Sequence, residues 1–433
     1  MLNVDDEQFL QYLQDENTYA QQWFDEHSAL TAAIVEEIRS RVQETDQSPA
    51  VSAGNWWYST RTVEGLSYPI HCRASSPAEA EGPAAEVILD QNKEAEGHEF
   101  FDLGAFEPDH QHQLIAWSAD TAGNEHYTLR IRDTSTGIDL NDTIPDTTWG
   151  GVAWSTDSRH LFYVVADDTE RPYQVRRHEI GTPTSADEIV FTDDDERFYV
   201  GIELTRRGRY VVIHSGSKTS SEVHLLDASL PLSEPQCVRP RTEHVEYSVD
   251  DWGHALVITT NLDAEDFQIM IARHDDPGNW TTFVAHEPGR RITAVEPFEG
   301  VLAIHEWADA QPQIRLVDSD SNSRTIDLQH EPHDIEFGAN ENFTTDTVRV
   351  RLQSLTRPST VIDVQLDDLS HQVIRQTPTP NVALDDYVSE RHWATAEDGT
   401  TVPYDIVRHR DHHGAVPAVI YAYGSYEISL QIG

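Results

Sequence analysis

The chain has 433 residues, 38% of them hydrophobic, and sets 76 acidic against 30 basic side chains for a formal net charge of −46. A field of that sign repels phosphates and so excludes nucleic acid and anionic membranes as partners, and no apolar run nears the ~18 residues of a membrane-spanning helix. Its two lysines, Lys93 and Lys218, and the spread of acidic residues through every segment read as adaptation to high salt, where screening removes self-repulsion.

MLNVDDEQFL lacks the basic and apolar regions of a secretory leader. Cys72 and Cys237 are too few for a disulfide framework and read as small buried residues. A halophilic, cytoplasmic protein is expected.

Residues 1–50 read as a helical segment. Apolar residues in DDEQFLQYLQDENTYAQQWFDEH fall at Phe9, Leu10, Leu13, Ala20, Trp23 and Phe24, close to helical spacing. A second helix is predicted from Ser28, as N-cap, through Leu30, Ile34, Ile38 and Val42. Both amphipathic helices are expected to pack on something.

From about Gly54 the pattern turns to short β-branched and aromatic runs broken by Asp, Gly, Asn and Ser. It repeats. Runs beginning at Leu114, Leu161, Tyr210, Leu256, Leu302 and Val348 are spaced by 47, 49, 46, 46 and 46 residues. Each is followed by a second strand: TLRIRD, QVRRHE, EVHLLD, QIMIAR, QIRLVD and TVIDVQ. GNWWYSTRTVEG with YPIHCRA adds an earlier unit, giving seven in all. A period of ~40–50 residues with about four strands each is the signature of propeller blades. Residues 51–388 are therefore expected to form a seven-bladed β-propeller.

After Val388 the repeat stops. A hairpin is predicted from a strand at His392–Thr395, an Asp398-Gly399 turn and a strand at Val402–Val407, followed by the loop RDHHGAV and an apolar strand, Pro417–Tyr423. Residues 389–433 then read as the first strands of a further sheet.

Several stretches in order resemble the prolyl oligopeptidase family of serine peptidases, most closely its oligopeptidase B (protease II) branch. They include YLQDENTYA, WWYSTRTVEGLSYPIHCR, EVILDQNKEAEGHEFFDLGAFEPD, YTLRIRDTSTG, RPYQVRRHEIGTP, TSSEVHLLD, DYVSERHWATAEDGTTVP and YAYGSYEIS. The resemblance implies a seven-bladed propeller capping an α/β-hydrolase domain, with 389–433 as a truncated start of that domain. It also implies short peptides as substrates, cleavage after Arg or Lys, and no cofactor.

The resemblance places the catalytic serine in a G-x-S-x-G elbow, followed by Asp and then His. The chain holds no such elbow. Ser217, in HSGSKTSS, and Ser425, in the tyrosine loop, read as structural. By resemblance Tyr423 occupies an oxyanion-hole position and Tyr426 borders the substrate's specificity pocket, although Ala422 and the closing LQIG depart from the family pattern. The expected protein is thus the N-terminal part of such an enzyme, inactive alone, its catalytic residues belonging either to a continuation beyond this sequence or to a separate partner chain. The alternative is a stand-alone propeller that binds peptides or a partner protein.

No metal is expected. His110 with His112, and His412 with His413, lack companion ligands at metal spacing, and Asp193-Asp194-Asp195-Glu196 lacks the alternation and Gly of a calcium loop and reads as a polar connection.

Overall fold

Alternating apolar and polar residues of the repeat become antiparallel sheets in the computed structural model, which describes residues 7–328, 332–423 and 430. In every unit the two quoted runs are neighbouring strands, as in Leu114–Asp120 with Tyr127–Asp133 and Tyr210–Gly216 with Ser221–Asp227. Leu129 and Ile131 point into the core and are fully buried, while Arg130 between them faces away.

Six multi-stranded sheets follow one another along the chain, numbered here first to sixth: 46–90, 102–192, 199–239, 247–284, 290–325 and 334–376. This corrects the expectation of seven blades. Five sheets have blade size, one of five strands and four of four, and the second is a single seven-stranded sheet. The cause is the strand Ile138–Trp154, 17 residues long, which serves two units at once. Its first half pairs with Tyr127–Asp133, as Leu129↔Ile144, and its end pairs with His160–Ala166, as Leu161↔Trp154. Gly151, at φ +79, lets it bend without a turn.

The expected hydrolase strands are corrected as well. Tyr387–Thr395 and Thr401–His409 pair only with each other, as a two-stranded ribbon. Pro417–Tyr423 forms no strand, and Val419, Ile420 and Tyr421 are 97%, 91% and 81% exposed. Among the described residues no hydrolase-type sheet exists: the ribbon's two strands gain no third partner, and most of their residues stay exposed.

Helices α1 (Glu7–Glu26) and α2 (Ser28–Arg39) form, but no residue of either is buried, contrary to the packing expected of them. Leu10, Leu13, Trp23, Phe24, Leu30, Ile34 and Ile38 all stay exposed. The N-cap position of α2 is His27, which makes no side-chain cap, and Ser28 begins the helix itself.

The core lies mainly between sheets. Ile88, Leu89 and Phe101 meet Ile115 and Trp117; Phe162 and Val164 meet Val200, Val211 and Ile213; Val212 and Val223 meet Val249 and Leu256. Trp252 and Val257 meet Ile292 and Leu302, and Phe298 and Leu316 meet Ile335 and Val350. Each such contact joins consecutive sheets.

The closing contact is different. The first and sixth sheets share no strand, and among the described residues no buried apolar cluster spans them. Polar groups join them instead. The Arg349 guanidinium donates to the Ala50 carbonyl at 2.8 Å while gripping Asp363 at 2.7 and 2.9 Å. Asn342 accepts from the Gly54 N–H at 3.0 Å and donates to Ser52 Oγ at 2.8 Å. Arg375 donates to the Gln47 carbonyl and the Asp46 carboxylate.

A second polar knot joins four sheets. The Arg206 N–H donates to Asp250 Oδ1 at 2.9 Å, and its guanidinium donates to the Asn340 carbonyl. That guanidinium also lies 3.4 Å from Glu296 and 4.6 Å above the Phe298 ring. Asn340 Nδ2 completes the knot by donating to Glu296 at 3.0 Å. Burial pushes Glu296 up to about 7 although Arg206 opposes it, and pushes Asp250 up to about 6. Burial, reinforced by the charge of Glu341, takes Glu107 up to about 7.

Two outcomes are expected. Arg349→Ala leaves Asp363 without its partner at a half-buried seam and costs about 3 kcal/mol, whereas Asn342→Ala costs about 1 kcal/mol. Hydrogen exchange of Arg349→Ala speeds up first in Trp56–Thr62 and Thr347–Ser354, ahead of the middle sheets. The second outcome concerns pH. Glu107, Glu296 and Asp250 hold protons in the folded state up to about 7, 7 and 6, above the ~4 of unfolded carboxyls. Their contribution is therefore complete below about pH 4 and disappears as pH rises through 6–7. The urea midpoint at fixed salt should fall between pH 5 and 8, and Glu107→Gln should remove on the order of 2 kcal/mol of that fall.

Candidate functional site

Strand Leu114–Asp120 ends on a carboxylate that folds the turn after it. Asp120 accepts from the N–H groups of Ala122, Gly123 and Glu125 at 2.7, 2.9 and 2.8 Å. Gly123 and Glu125 take φ of +74 and +62 inside this turn. Burial works to raise Asp120, but these backbone donors hold its carboxyl below the ordinary range.

This turn forms one wall of a cleft of about 560 Å³, with Phe100 and Trp149 as aromatic walls and Asp102, Glu125 and Tyr127 between. Gly104 lies at its floor. A Cβ there would come within 2.6 Å of the Tyr127 ring and 2.8 Å of the Trp149 carbonyl, so only glycine fits. The Tyr127 hydroxyl donates to Asp102 Oδ2 at 2.5 Å. Burial, that hydrogen bond and the charges of Asp102, Asp120 and Glu125 raise the phenol well above its usual value.

Among the described residues no Lys or Arg lines the cleft, and Phe100 and Trp149 are 43% and 67% exposed. Carboxylates beside open aromatic faces suit a cation, above all a guanidinium, which they engage by charge-assisted hydrogen bonds and cation–π contact. His126 stands just outside, 3.4 Å from Asp146 and 3.2 Å from Glu170. The cleft opens where second and third strands connect. The ribbon touches the propeller at such a connection too, with Arg391 donating to the Ala310 carbonyl at 2.6 Å. A second cleft, about 610 Å³, lies at the seam among Ser52, Trp57, Asn342, Arg349 and Asp363.

The residues singled out from sequence are scattered. Tyr423 sits on the unpaired terminal segment, 49% exposed, rather than on a buried strand. Tyr426 and Ser425 lie outside the described residues. Ser217 closes a turn: its hydroxyl donates to the Ser220 carbonyl at 3.1 Å and accepts from the Ser220 N–H at 3.1 Å. His112 Nδ1 lies 2.7 Å from the Tyr58 hydroxyl, and the His412 ring lies 5.3 Å from that of His409, tilted by 43°. Asp193 accepts from Ser215 at 2.5 Å and pairs with Arg241, while Asp195 pairs with Arg197 at 2.7 Å, as suits a polar connection. Sequence reasoning missed the acidic cleft. Its signal was the pairing of EFFDLGAF with SADTAGNEHY, two acidic-aromatic stretches in adjoining strands.

Residues 3–377 match the family model described as "Prolyl oligopeptidase, N-terminal beta-propeller domain". The chain is 32% identical over 445 residues to dipeptidyl aminopeptidase BI of Pseudoxanthomonas mexicana, covering 98% of this chain and 61% of that protein. It is 28% identical over 428 residues to protease 2 of Moraxella lacunata, covering 98% and 62%. Oligopeptidase B from Trypanosoma brucei, with covalently bound antipain, superposes at a TM-score of 0.91 and 29% identity, over 100% of this chain and 63% of that one. Oligopeptidase B from Leishmania major gives 0.92 and 28%, over 99% and 62%. The chain spans about three fifths of the length of these relatives. By a match that runs through the helices and every propeller sheet, the chain belongs to the prolyl oligopeptidase family, of which it carries the N-terminal β-propeller.

Proposed function

We propose that this chain is the propeller portion of an oligopeptidase-B-like serine endopeptidase that cleaves short peptides after basic residues. The observation that carries the reading is the likeness to oligopeptidase B along the whole chain, at TM-scores of 0.91 and 0.92 with 29% and 28% identity. The acidic aromatic cleft supports basic substrates, since it offers carboxylates to a guanidinium and no competing cation.

Amide hydrolysis needs a nucleophile, a base to take its proton and donors for the oxyanion. The sequence holds no G-x-S-x-G elbow, and the Ser217 hydroxyl is committed to its turn. The chain by itself is therefore inactive, and a polypeptide carrying Ser, Asp and His completes the site. Tyr423 then supplies one oxyanion donor and Tyr426 borders the specificity pocket. Exposed apolar surface favours this over a stand-alone peptide-binding propeller. The α1–α2 pair and the segment from Val416 to Tyr421 present apolar side chains that soluble proteins ordinarily cover. The chain enters and leaves the ring at one place, where Asn381 Nδ2 donates to the Ser40 carbonyl at 3.0 Å.

An Arg-ending chromogenic peptide offered to the pure chain should show no turnover above buffer, and turnover should appear once a polypeptide with the triad is added. Hydrolysis by the chain alone that survives both Tyr423→Phe and serine-directed inhibitors would overturn the reading. For the cleft, Asp102→Asn with Glu125→Gln should weaken binding of an Arg-containing peptide about tenfold, or ~1.4 kcal/mol, read from Trp149 fluorescence. An unchanged Kd would remove the cleft from substrate recognition.

A further inference from the structure

On the third sheet, strand Ser221–Asp227 lies beside the four-residue edge strand Gln236–Arg239. His224 pairs directly with Cys237, and the register shifts between Val223 and His224. Strand alternation puts Glu222 and His224 on one face, opposite Val223 and Leu225, which fill the core against the fourth sheet. The extra residue is Val238 on the edge strand, and past it Cys237 sits directly opposite His224. A carboxylate oxygen of Glu222, a ring nitrogen of His224 and the Cys237 sulfur thereby all lie within 4.8 Å of one another.

We propose that Glu222, His224 and Cys237 form a site for a zinc-like divalent transition metal. Oxygen, nitrogen and sulfur donors together select a borderline-soft ion over calcium or magnesium, which take oxygen alone. Three protein ligands leave a fourth position for water.

A separate observation points the same way. His224 Nε2 lies 3.9 Å from Glu222 Oε1, and its other ring nitrogen, Nδ1, is buried with no hydrogen-bond partner, so the imidazole is not committed to a protein acceptor or donor through that atom. The Phe191 ring, 4.8 Å away, covers it. Glu222 is already oriented: its Oε2 accepts from the Arg241 N–H at 2.9 Å, and the Arg241 guanidinium, held by Asp193, lies 3.4 Å from Oε1. Ligand carboxylates in metal sites are typically fixed by such partners.

A free thiol is protonated at neutral pH, whereas the metal takes it as thiolate. Binding then breaks the S–H bond, forms the S–metal bond and releases one proton to solvent. The dication balances the two negative ligands, Glu222 and the thiolate. Its mechanical effect is to clip the edge strand to its neighbour.

The test uses the full chain after stripping with a chelator. Zinc titrated calorimetrically in buffers of different ionisation enthalpy should bind one equivalent and release about one proton. Cobalt(II) should give a thiolate-to-metal charge-transfer band. Cys237→Ser should abolish the band and weaken zinc at least ~100-fold, His224→Gln should weaken it comparably, and Cys72→Ser should change neither. In the unaltered chain zinc should slow hydrogen exchange of Gln236–Arg239, a readout that needs no variant to fold. No stoichiometric binding, a band that persists in Cys237→Ser, or unchanged exchange at that strand would overturn the proposal.

Discussion

The ring depends on how its ends are joined, and they are joined by side chains. Apolar clusters weld each sheet to the next, but among the described residues the first and sixth sheets are joined by the polar side chains Arg349, Asn342 and Arg375. Asn342 and Ser52 are 290 residues apart, and closing a loop of that length costs roughly 5 kcal/mol beyond a constant. A few hydrogen bonds at ~1 kcal/mol each offset a sum of that order without exceeding it by much. The seam is therefore the weakest interface of the ring. It is also a directional one, because Arg349 must reach Ala50 and Asp363 together, which fixes the rotation at which the ring closes.

With its ends fixed, the ring brings its polar groups to opposite ends. At the end where first strands turn into second strands, Arg206 gathers Asp250, Glu296 and Asn340 from three further sheets. Burial makes these carboxyls hold their protons unusually long, so this end is a knot that tolerates charge poorly. At the other end Asp102, Asp120 and Glu125 face an open cleft, and the backbone of the Asp120 turn keeps that carboxylate charged. A protein of net charge −46 thus spends its acidic residues in two ways. Glu296 and Asp250 shed charge inside the knot, whereas Asp120, although itself buried, is kept charged by its turn in the wall of the cleft.

The strands were legible because their signal is local. Alternation in LIAWSAD or VRVRL, and its return near every 46 residues, needs no knowledge of the fold. Blade count was not legible. TIPDTTWGGVAW carries Pro145, Gly150 and Gly151, and so reads as a break between units, yet one strand runs from Ile138 to Trp154 and fuses them. Seam and knot were illegible for a different reason. Asn342 and Ser52, or Arg206 and Glu296, are ordinary polar residues far apart in sequence, and only the closed ring gives them partners. Cys237 looked like a small buried residue because nothing in the sequence says that His224 lies across the ladder from it.

Resemblance places Tyr423 in the chemistry, and the structure bears on the conditions under which it can act there. An oxyanion donor is effective because it is fixed before the charge develops. Here the phenol belongs to a segment without strand pairing, and its neighbours Val419 and Ile420 are almost wholly exposed. Fixing Val416–Tyr423 costs on the order of 1–2 kcal/mol per residue in backbone entropy. Burying the Val419, Ile420 and Tyr421 side chains returns about 1.5–3 kcal/mol for each aliphatic one. Over eight residues the entropy cost exceeds what these three side chains return, so the segment stays unordered until strand pairing and an apolar surface are offered together. In the proposed enzyme, the polypeptide that brings the nucleophile therefore also has to bring the surface that aims Tyr423. Hydroxyl donor and nucleophile then arrive together, because one burial event positions both.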